Sequence, residues 1–447
     1  MHAHPRSKRP AMSSGQQGRG RRRLTASEVD LEVIRQRALL VGTGIGTRSV
    51  EVAEESLAEL ARLTDTAGAD AVEIVLQRRD HPDSRTYIGK GKAEELRESV
   101  KALDIDVVIF DDELSPAQQR NLEKIFEVDV VDRVALILDI FAQHAASQEG
   151  MLQVELAQLR YQMPRLRGRG GVLSQQGGGI GTRGPGETQL EVDRRRIQRR
   201  VARLERDLSE LVRKRGTQRK ARMKIPMPNV ALVGYTNAGK STVLNRITEA
   251  HVLVENRLFS TLDPTTRRLR LSGGEIVLVS DTVGFVRRLP HQLVEAFRST
   301  LEEVADADLL LHIVDAGAAD IIGQVAAVRA VLAEVGATDL PEFMVINKID
   351  TVDEATIAEV RRMLPDATPV SALTGEGIPD LLQLIATQLR SVSNIVELGV
   401  PYARGDVLAS LHREGEVLVE VHEADQVRVQ VRISEAAAGR FAEFRIT

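Results

Sequence analysis

Residues 229–248 read N-V-A-L-V-G-Y-T-N-A-G-K-S-T-V-L-N-R-I-T. The apolar run at 230–233 predicts a short strand, and the pattern at 242–247 predicts a helix. Residues 234–241 between them fit G-x-x-x-x-G-K-[ST] in the strand–loop–helix setting that this motif requires. Its glycines let backbone N–H groups wrap an anion, and the helix N-terminus favours negative charge. The stretch therefore predicts a phosphate-binding loop (P-loop) in an α/β domain.

Four polar groups are expected to hold the phosphates and a metal ion. In the P-loop, Lys240 is expected to bridge the β- and γ-phosphates, and the Ser241 hydroxyl is expected to bind Mg²⁺. A second apolar run at 276–280 leads into D-T-V-G, whose Asp281 is expected to hold the Mg²⁺ shell through water. The N–H of Gly284 is expected to sense the γ-phosphate.

The tetrad N-K-I-D at 347–350 predicts which base is bound. The carboxylate of Asp350 can accept two hydrogen bonds from the N1–H and N2 amine of guanine, which adenine lacks. Asn347 is expected to support the loop, and the stem of Lys348 to pack over the ring. A base that cannot form these paired polar contacts binds much more weakly, so the site should discriminate strongly between guanine and adenine. The segment S-A-L at 371–373 resembles the one that places a backbone N–H on the guanine oxygen.

A switch segment lies between the P-loop and D-T-V-G, in F-S-T-L-D-P-T-T-R at 259–267. Such a segment needs a threonine to close on Mg²⁺ and the γ-phosphate. Thr261, Thr265 and Thr266 are all candidates, and the pattern alone does not choose between them.

These segments occur in order, and those at strand ends suit ligand binding at the carboxyl ends of strands in an open α/β sheet. Together they predict a guanine-nucleotide site. The residues expected to contact the nucleotide are Gly234, Tyr235, Thr236, Asn237, Ala238, Gly239, Lys240, Ser241, Thr242, Phe259, Ser260, Thr261, Leu262, Asp263, Asp281, Thr282, Val283, Gly284, Asn347, Lys348, Ile349, Asp350, Ser371, Ala372 and Leu373.

Changes in composition predict a multidomain α/β protein with five parts. Residues 1–26 have the composition of a disordered basic tail. Residues 27–147 are predicted to form an α/β domain, and 148–225 a basic helical hairpin with a Gly-rich tip. Residues 226–392 are predicted to form the GTP-binding domain (G domain), with a mostly parallel sheet and flanking helices. A small α+β domain is predicted at 393–447.

In the N-terminal domain, apolar runs alternate with helical patterns, which is typical of a mostly parallel sheet. G-T-G-I-G at 42–46 departs from G-x-G-x-x-G and is predicted to be a tight turn. Y-I-G-K-G-K at 87–92 is predicted to open a helix, either as a phosphate-holding N-terminus or as a solvated start. Buried strands are predicted at 38–41, 72–76 and 107–110, and helices at 52–63, 93–103 and 116–126.

Two leucine-rich stripes with heptad-like spacing predict the hairpin. The first consists of Leu152, Leu156, Leu159 and Met163, and the second of Ile197, Val201, Leu204, Leu208 and Leu211. Its tip, 168–186, contains nine glycines in nineteen residues, whereas helix–helix connections usually need only about 2 to 8 residues. Residues 160–224 carry nineteen Lys/Arg against six Asp/Glu. A connector or a solvated basic face could account for either feature alone. Together they favour backbone and charge contacts with RNA phosphate and sugar.

The overall composition excludes several classes of site. There is no cysteine, so disulfides, thiolate metal sites and thiol catalysis are excluded. No apolar run approaches the roughly 18 residues of a membrane span. We therefore expect a cytoplasmic protein without integral membrane insertion, and peripheral association with the membrane is the alternative. Near the C-terminus, strands are predicted at 417–421 and 427–433 and a helix at 436–444. No catalytic or binding motif is recognised in this part of the sequence.

Several of these segments closely resemble the HflX family of translation-factor-related GTPases. The resemblance rests on G-Y-T-N-A-G-K-S, F-S-T-L-D-P-T-T-R, D-T-V-G-F, V-E-L-A-Q-L-R-Y and the tip sequence G-G-I-G-T-R-G-P-G-E-T-Q-L-E, and it covers about 39–388. It implies a monomer that binds the large ribosomal subunit and its rRNA, not DNA, and splits stalled or idle ribosomes under stress. It also implies Thr261 as the switch threonine and second Mg²⁺ ligand beside Ser241, so that Lys240, Thr261 and Gly284 act in catalysis. The rRNA-binding residues it implies are Gly178, Gly179, Ile180, Gly181, Thr182, Arg183, Gly184, Arg194 and Arg195.

Two residues bear on the rate of hydrolysis. Phe285 follows Gly284, where many GTPases carry a glutamine that orients the attacking water, so low intrinsic turnover with ribosomal stimulation is expected. Asn237 matches the P-loop asparagine of cation-activated GTPases, which makes K⁺ a candidate cofactor beside GTP and Mg²⁺. One alternative is a nucleotide-gated rRNA-binding hibernation or assembly factor with negligible turnover. A P-loop kinase or ATPase is disfavoured by the N-K-I-D tetrad.

Overall fold

The computed structural model describes residues 35–45, 50–166, 185–222, 227–248, 258–259, 265–272, 276–287, 298–391, 394–433 and 435–446. The predicted basic tail (1–26), most of the Gly-rich tip and the switch residues 260–264 lie outside these ranges. The described residues form an α/β multidomain chain with an N-terminal parallel sheet, a helical hairpin, a larger mostly parallel sheet and a small C-terminal sheet.

The N-terminal domain is a four-stranded parallel sheet in the order β2-β1-β3-β4, with helices between the strands. Strand β4 and the apolar helix that follows it were not predicted, because a four-residue strand carries little periodicity. The elements are β1 Gln36–Ile45, α1 Val50–Thr66, β2 Ala69–Arg79, α2 Lys90–Ala102, β3 Val107–Phe110, α3 Pro116–Phe126, β4 Asp129–Asp132 and α4 Arg133–His144.

Two predictions for this domain were wrong in part. The tight turn expected at 42–46 is absent up to Ile45, because β1 runs on as strand to that residue. Gly42 instead permits close packing, since a Cβ there would lie 2.7 Å from Cγ of Leu57 on α1. Strand β2, expected to be buried, forms an edge of the sheet, and Ile74 is 51% exposed.

The hairpin consists of α5 Gln148–Arg165 and the much longer α6 Pro185–Arg222. Arg160 on α5 pairs with Glu205 on α6 at 2.9 Å, and Arg200 on α6 pairs with Glu155 on α5 at 2.6 Å. Leu204 from the predicted α6 stripe is completely buried. The two helices therefore pack side by side, as their spacing predicts.

The G domain is a six-stranded sheet in the order β10-β9-β8-β5-β7-β6, in which only β6 runs antiparallel to its neighbour among the described strands. This order brings the ends of β5, β7, β8 and β9 to one edge of the sheet. The elements are β5 Asn229–Gly234, α7 Lys240–Thr248, β6 Thr265–Arg270, β7 Ile276–Asp281, α8 Arg298–Ala305, β8 Leu309–Asp315, α9 Ile321–Glu334, β9 Glu342–Asn347, a 3₁₀ turn Ile349–Thr351, α10 Glu354–Met363, β10 Thr368–Pro369 and α11 Ile378–Ser391.

The C-terminal domain is an antiparallel sheet in the order β11-β13-β12. The predicted terminal helix is divided by Phe441 into a short α-helix and a 3₁₀ turn. None of the helices in the described part of the chain is both long and apolar enough to cross a membrane. The elements are β11 Asn394–Pro401, a 3₁₀ turn Tyr402–Arg404, α12 Gly405–Glu414, β12 Glu416–His422, β13 Gln426–Ile433, α13 Glu435–Arg440 and a 3₁₀ turn Ala442–Phe444.

Candidate nucleotide-binding site

The P-loop connects the end of β5 to the start of α7 and depends on two glycines. Gly234 has φ 149°, and a Cβ there would lie 2.3 Å from the carbonyl oxygen of Ile313 on β8. Gly239 has φ 95°, and a Cβ there would lie 2.2 Å from Nδ2 of Asn347. Only glycine fits both the backbone angle and the space at these two positions.

Lys240 points back into the P-loop from the first turn of α7. Its ammonium donates to the carbonyl oxygens of Gly234 at 3.1 Å and Tyr235 at 2.9 Å. Burial lowers the pKa of Lys240 to about 8, and the nearby charge of Asp281 opposes that shift. A buried cation that donates to neutral carbonyl oxygens suits a phosphate anion.

Ser241 and Asp281 meet at the predicted metal position. The Ser241 hydroxyl donates to Oδ2 of Asp281 at 2.6 Å, and Asp281 at the end of β7 is completely buried. A hydroxyl oxygen and a carboxylate oxygen side by side are the hard donors that Mg²⁺ prefers. The residues present therefore fit a magnesium ion.

Gly284 brings the D-T-V-G segment against the P-loop. A Cβ on Gly284 would lie 2.8 Å from Cα of Thr236 and 3.2 Å from Nζ of Lys240. The backbone that follows Gly284 is held in place, because Thr236 N–H donates to the carbonyl of Phe285 at 2.7 Å. The arrangement places the Gly284 backbone beside the lysine that is expected to meet the γ-phosphate.

Asn347 ties three loops together at the base end of the site. Its Nδ2 donates to the carbonyl of Ala238 in the P-loop at 2.9 Å, and its Oδ1 accepts from the N–H of Ala372 at 3.1 Å. Asn347 is 1% exposed. The predicted support role of this amide thus corresponds to two specific bonds.

Lys348 and Asp315 form an ion pair beside this loop. Nζ of Lys348 lies 2.7 Å from Oδ2 of Asp315 at the end of β8. Lys348 itself adopts a left-handed backbone, with φ 64°. Asp315 was not predicted, because it belongs to none of the recognised tetrads, although its place at a strand end was a usable signal.

Arg246 is a second residue that the sequence did not reveal. It lies on α7, and its Nε donates to the carbonyl of Ala372 at 2.8 Å, while its terminal nitrogen contacts the carbonyl of Leu373. The guanidinium also lies close to where a Cβ on Gly375 would be. Arg246 therefore links the helix after the P-loop to the S-A-L segment.

Some predicted contact residues point elsewhere. The Thr282 hydroxyl donates to the carbonyl of Leu232 at 2.6 Å and is fully buried. The ring of Phe259 packs edge-on against Phe141 of α4, with centroids 4.6 Å apart. Ile349 lies in an apolar cluster of the G domain. These side chains stabilise the surrounding fold rather than line the loop, and Ser260, Thr261, Leu262 and Asp263 lie outside the described residues.

Phe285 occupies the position where many GTPases carry a water-orienting glutamine. It is 1% exposed, belongs to the main apolar cluster, and its N–H donates to the carbonyl of Gly234 at 3.2 Å. Its ring is a packing element, so it supplies no hydrogen bond to water.

The predicted RNA-binding residues fall in two groups. Arg194 and Arg195 lie exposed on α6, and Arg195 pairs with Glu191 one turn earlier at 2.8 Å. The tip residues Gly178, Gly179, Ile180, Gly181, Thr182, Arg183 and Gly184 lie outside the described residues.

Three family models match successive parts of the chain. Residues 54–142 match a family described as "GTP-binding GTPase N-terminal", and 144–222 match "GTP-binding GTPase Middle Region". Residues 229–348 match "50S ribosome-binding GTPase". The matches follow the N-terminal sheet, the hairpin and the G domain in order.

Curated relatives are similar over most of their length. A "GTPase HflX" of Lacrimispora saccharolytica is 49% identical over 364 residues, covering 81% of this chain and 85% of that protein. A "GTPase HflX" of Escherichia coli K12 is 48% identical over 338 residues, covering 75% and 79%. Among solved structures, a GTP-binding protein of Sulfolobus solfataricus in complex with GDP is 24% identical, covering 79% of this chain and 99% of that one, with a TM-score of 0.41.

Proposed function

Because the chain belongs to the HflX family of GTPases, we propose that it binds the large ribosomal subunit in its GTP state and dissociates stalled or idle ribosomes under stress. GTP hydrolysis then controls its release. The observation that carries this proposal is the exposed basic surface of α6, which leads along the chain into the P-loop domain. The match of residues 229–348 to a family described as "50S ribosome-binding GTPase" supports the same partner.

We assign the roles in the nucleotide site as follows. Lys240 neutralises the β- and γ-phosphates, and the Gly284 N–H senses the γ-phosphate beside it. Asp350 selects guanine, with Asn347 holding its loop to the P-loop. Ser241, Asp281 through water, and the switch residue Thr261 would hold Mg²⁺, which supplies positive charge that stabilises the transferring phosphoryl group.

We assign the RNA contact to α6 and the Gly-rich tip before it. The pair between Arg195 and Glu191 is exposed, with side chains 65% and 46% accessible, and such pairs contribute only about 0 to 1 kcal/mol. An RNA phosphate can therefore replace Glu191 as the partner of Arg195 at little cost. Each phosphate neutralised also releases counterions, so binding should weaken steeply with salt.

A ribosome cosedimentation experiment tests this function. Large subunits are mixed with the full chain and GTP, a non-hydrolysable GTP analogue or GDP. We expect retention with the analogue and release with GDP. Binding that is indifferent to the nucleotide would refute the switch.

A charge-matched pair of variants locates the surface. Arg194→Ala with Arg195→Ala removes two positive charges near the predicted tip, and Arg213→Ala with Lys214→Ala removes two from exposed positions further along the same helix. We expect only the first double variant to lose most subunit binding. An equal loss in both would indicate nonspecific charge attraction.

The rival function is a hibernation or assembly factor that acts by occupancy with negligible turnover. The burial of Phe285, which leaves that position without a water-orienting group, is the observation that favours it. Single-turnover hydrolysis with and without large subunits separates the two functions. Stimulation by subunits supports the proposed GTPase cycle, and unchanged hydrolysis supports the rival.

Because the proposed partner is the ribosome, we place the protein in the cytoplasm.

A further inference from the structure

The phenol of Tyr235 joins three parts of the protein at one atom. Tyr235 is the second residue of the P-loop and is 5% exposed. Its hydroxyl donates to Oε1 of Glu59 on α1 at 2.8 Å and accepts the backbone N–H of Arg287 at 2.6 Å. The carbonyl of the same residue accepts the Lys240 ammonium at 2.9 Å. An N-terminal helix, the P-loop and the segment after D-T-V-G thus share this residue.

Glu59 is a fixed acceptor because it belongs to a buried ionic cluster. Arg133 at the start of α4 lies 3.0 Å from Oε1 of Glu59 and 2.7 Å from Oδ1 of Asp111. The Ser56 hydroxyl donates to the other Asp111 oxygen at 2.6 Å. All four residues are at most 3% exposed. Oε1 of Glu59 is contacted both by the Arg133 guanidinium and by the Tyr235 hydroxyl within this buried cluster, so the Glu59 carboxylate has little freedom to reorient.

Arg287 is held by its side chain as well as by its backbone. Its guanidinium lies 3.0 Å from Oε2 of Glu55 on α1 and also contacts Asp320 at the start of α9. Arg287 lies three residues after Gly284, whose backbone packs against Thr236 and Lys240. A shift of the Arg287 backbone would therefore be transmitted over a short stretch to the N–H that is expected to sense the γ-phosphate.

We propose that Glu59 is a positioning residue for GTP hydrolysis, acting through the Tyr235 hydroxyl to fix the backbone of Arg287 and the segment that contains Gly284. The nucleotide site then depends on a side chain of the N-terminal domain that lies outside every nucleotide-binding motif. A cluster that served only to hold the two domains together would contribute stability but would not affect the hydrolysis step separately from binding.

A pair of tyrosine variants of the full chain tests this proposal. Tyr235→Phe removes one hydroxyl, and Tyr161→Phe is its matched control. Tyr161 is also buried, at 6% exposure, and its hydroxyl also donates to a carboxylate at 2.8 Å, that of Asp132. The measurements are single-turnover GTP hydrolysis, GDP affinity and the midpoint of thermal unfolding.

We expect Tyr235→Phe to lower the hydrolysis rate constant about tenfold, equivalent to about 1.4 kcal/mol, with GDP affinity unchanged within about twofold. Tyr161→Phe should lower the midpoint of thermal unfolding about as much as Tyr235→Phe does, but it should leave hydrolysis unchanged. The proposal is overturned if the two variants hydrolyse GTP at the same rate, or if GDP affinity falls in parallel with the rate.

Variants of Glu59 test whether it acts through Tyr235. Glu59→Gln retains an oxygen acceptor and should hydrolyse GTP faster than Glu59→Leu. The double variant Tyr235→Phe with Glu59→Leu should be no slower than Tyr235→Phe alone, because both changes remove the same hydrogen bond. Ser56→Ala, which alters the same cluster without touching Tyr235, should change stability but not hydrolysis. Additive losses of rate in the double variant would show that Glu59 acts by another route.

Discussion

The hydroxyl of Ser371 donates a hydrogen bond of 2.6 Å to Oδ1 of Asp350. The same hydroxyl accepts the N–H of Thr374 at 3.0 Å, so the S-A-L segment and the N-K-I-D tetrad are held in one arrangement. With Asn347 bonded to Ala372, the base-recognition loops are positioned by protein contacts alone. Preorganised donors and acceptors of this kind give strong discrimination between bases.

Asp350→Asn should change the base that is bound. The amide can donate to the O2 of xanthine but cannot accept both guanine donors, so we expect GTP affinity to fall at least about 100-fold and XTP binding to appear. Affinity for ATP should stay weak. Fluorescent nucleotide titration measures all three. Asp353→Asn is the control, because Asp353 caps α10 through Thr356 and should affect only stability. An unaltered preference for GTP over XTP would contradict the assignment.

Lys240 should make nucleotide affinity depend on pH. Its pKa of about 8 means that the ammonium is present in the nucleotide-free protein below pH 8 and is lost above it. Binding a phosphate above pH 8 then requires proton uptake, so GDP affinity should fall by up to about tenfold per pH unit. Calorimetric titration in buffers of different ionisation enthalpy measures the uptake. Constant affinity between pH 7 and 9 would show that burial does not lower the pKa of Lys240.

The lowered pKa of Lys240 has the opposite effect on stability: the free energy of unfolding should rise with pH, whereas nucleotide affinity should fall. Lys240 binds fewer protons in the folded chain than in the unfolded chain between pH 8 and its ordinary pKa of 10.5. The contribution of Lys240 to the free energy of unfolding therefore increases as pH rises through that window. Denaturant titrations of the wild type and Lys240→Met, without nucleotide, isolate this contribution. The methionine variant should lack this increase.

Phe285→Gln should fail to improve catalysis. The ring is buried in the apolar cluster, and a buried amide without partners costs about 1 to 3 kcal/mol in addition to the lost packing. We expect a lower free energy of unfolding and no gain in single-turnover hydrolysis. Phe285→Leu, which stays apolar, should be the more stable of the two variants. Faster hydrolysis in Phe285→Gln would indicate that position 285 can reach the attacking water.

Asn237 allows a test of activation by potassium. Its backbone φ is 58°, a left-handed conformation that asparagine and glycine tolerate, so Asn237→Gly removes the amide without straining the loop. We expect wild-type hydrolysis to be faster in K⁺ than in Na⁺, and the glycine variant to lose that difference while still binding GDP. Equal wild-type rates in the two salts would exclude a bound K⁺.

The nucleotide site could be predicted from the sequence where its residues lie close together along the chain. The P-loop and the tetrads place their characteristic residues within a few positions, so Lys240, Ser241 and Asn347 could be named as candidate site residues from the sequence. Contacts across the chain were not predictable in this way. Tyr235 and Glu59 are 176 positions apart, and no local pattern indicates that they meet.

The turn expected at 42–46 shows a second limit of local patterns. A glycine signals either a positive φ or the absence of a Cβ, and the sequence does not distinguish the two. At Gly42 the absence of a Cβ is what matters, since the residue lies in a strand that packs against Leu57. Burial was misjudged at Ile74 for a related reason, because an apolar run does not reveal whether its strand lies at the edge of a sheet.

Helix α6 has 38 residues and α5 has 18, so the longer helix extends about 57 Å against about 27 Å for its partner. Such a rod acts as a lever arm. A tilt of about 10° at its Arg222 end would carry the Pro185 end through about 10 Å, roughly the diameter of a helix with its side chains. If α5 and α6 tilted together, a small rotation next to the G domain would thus become a displacement large enough to disturb the proposed RNA contact.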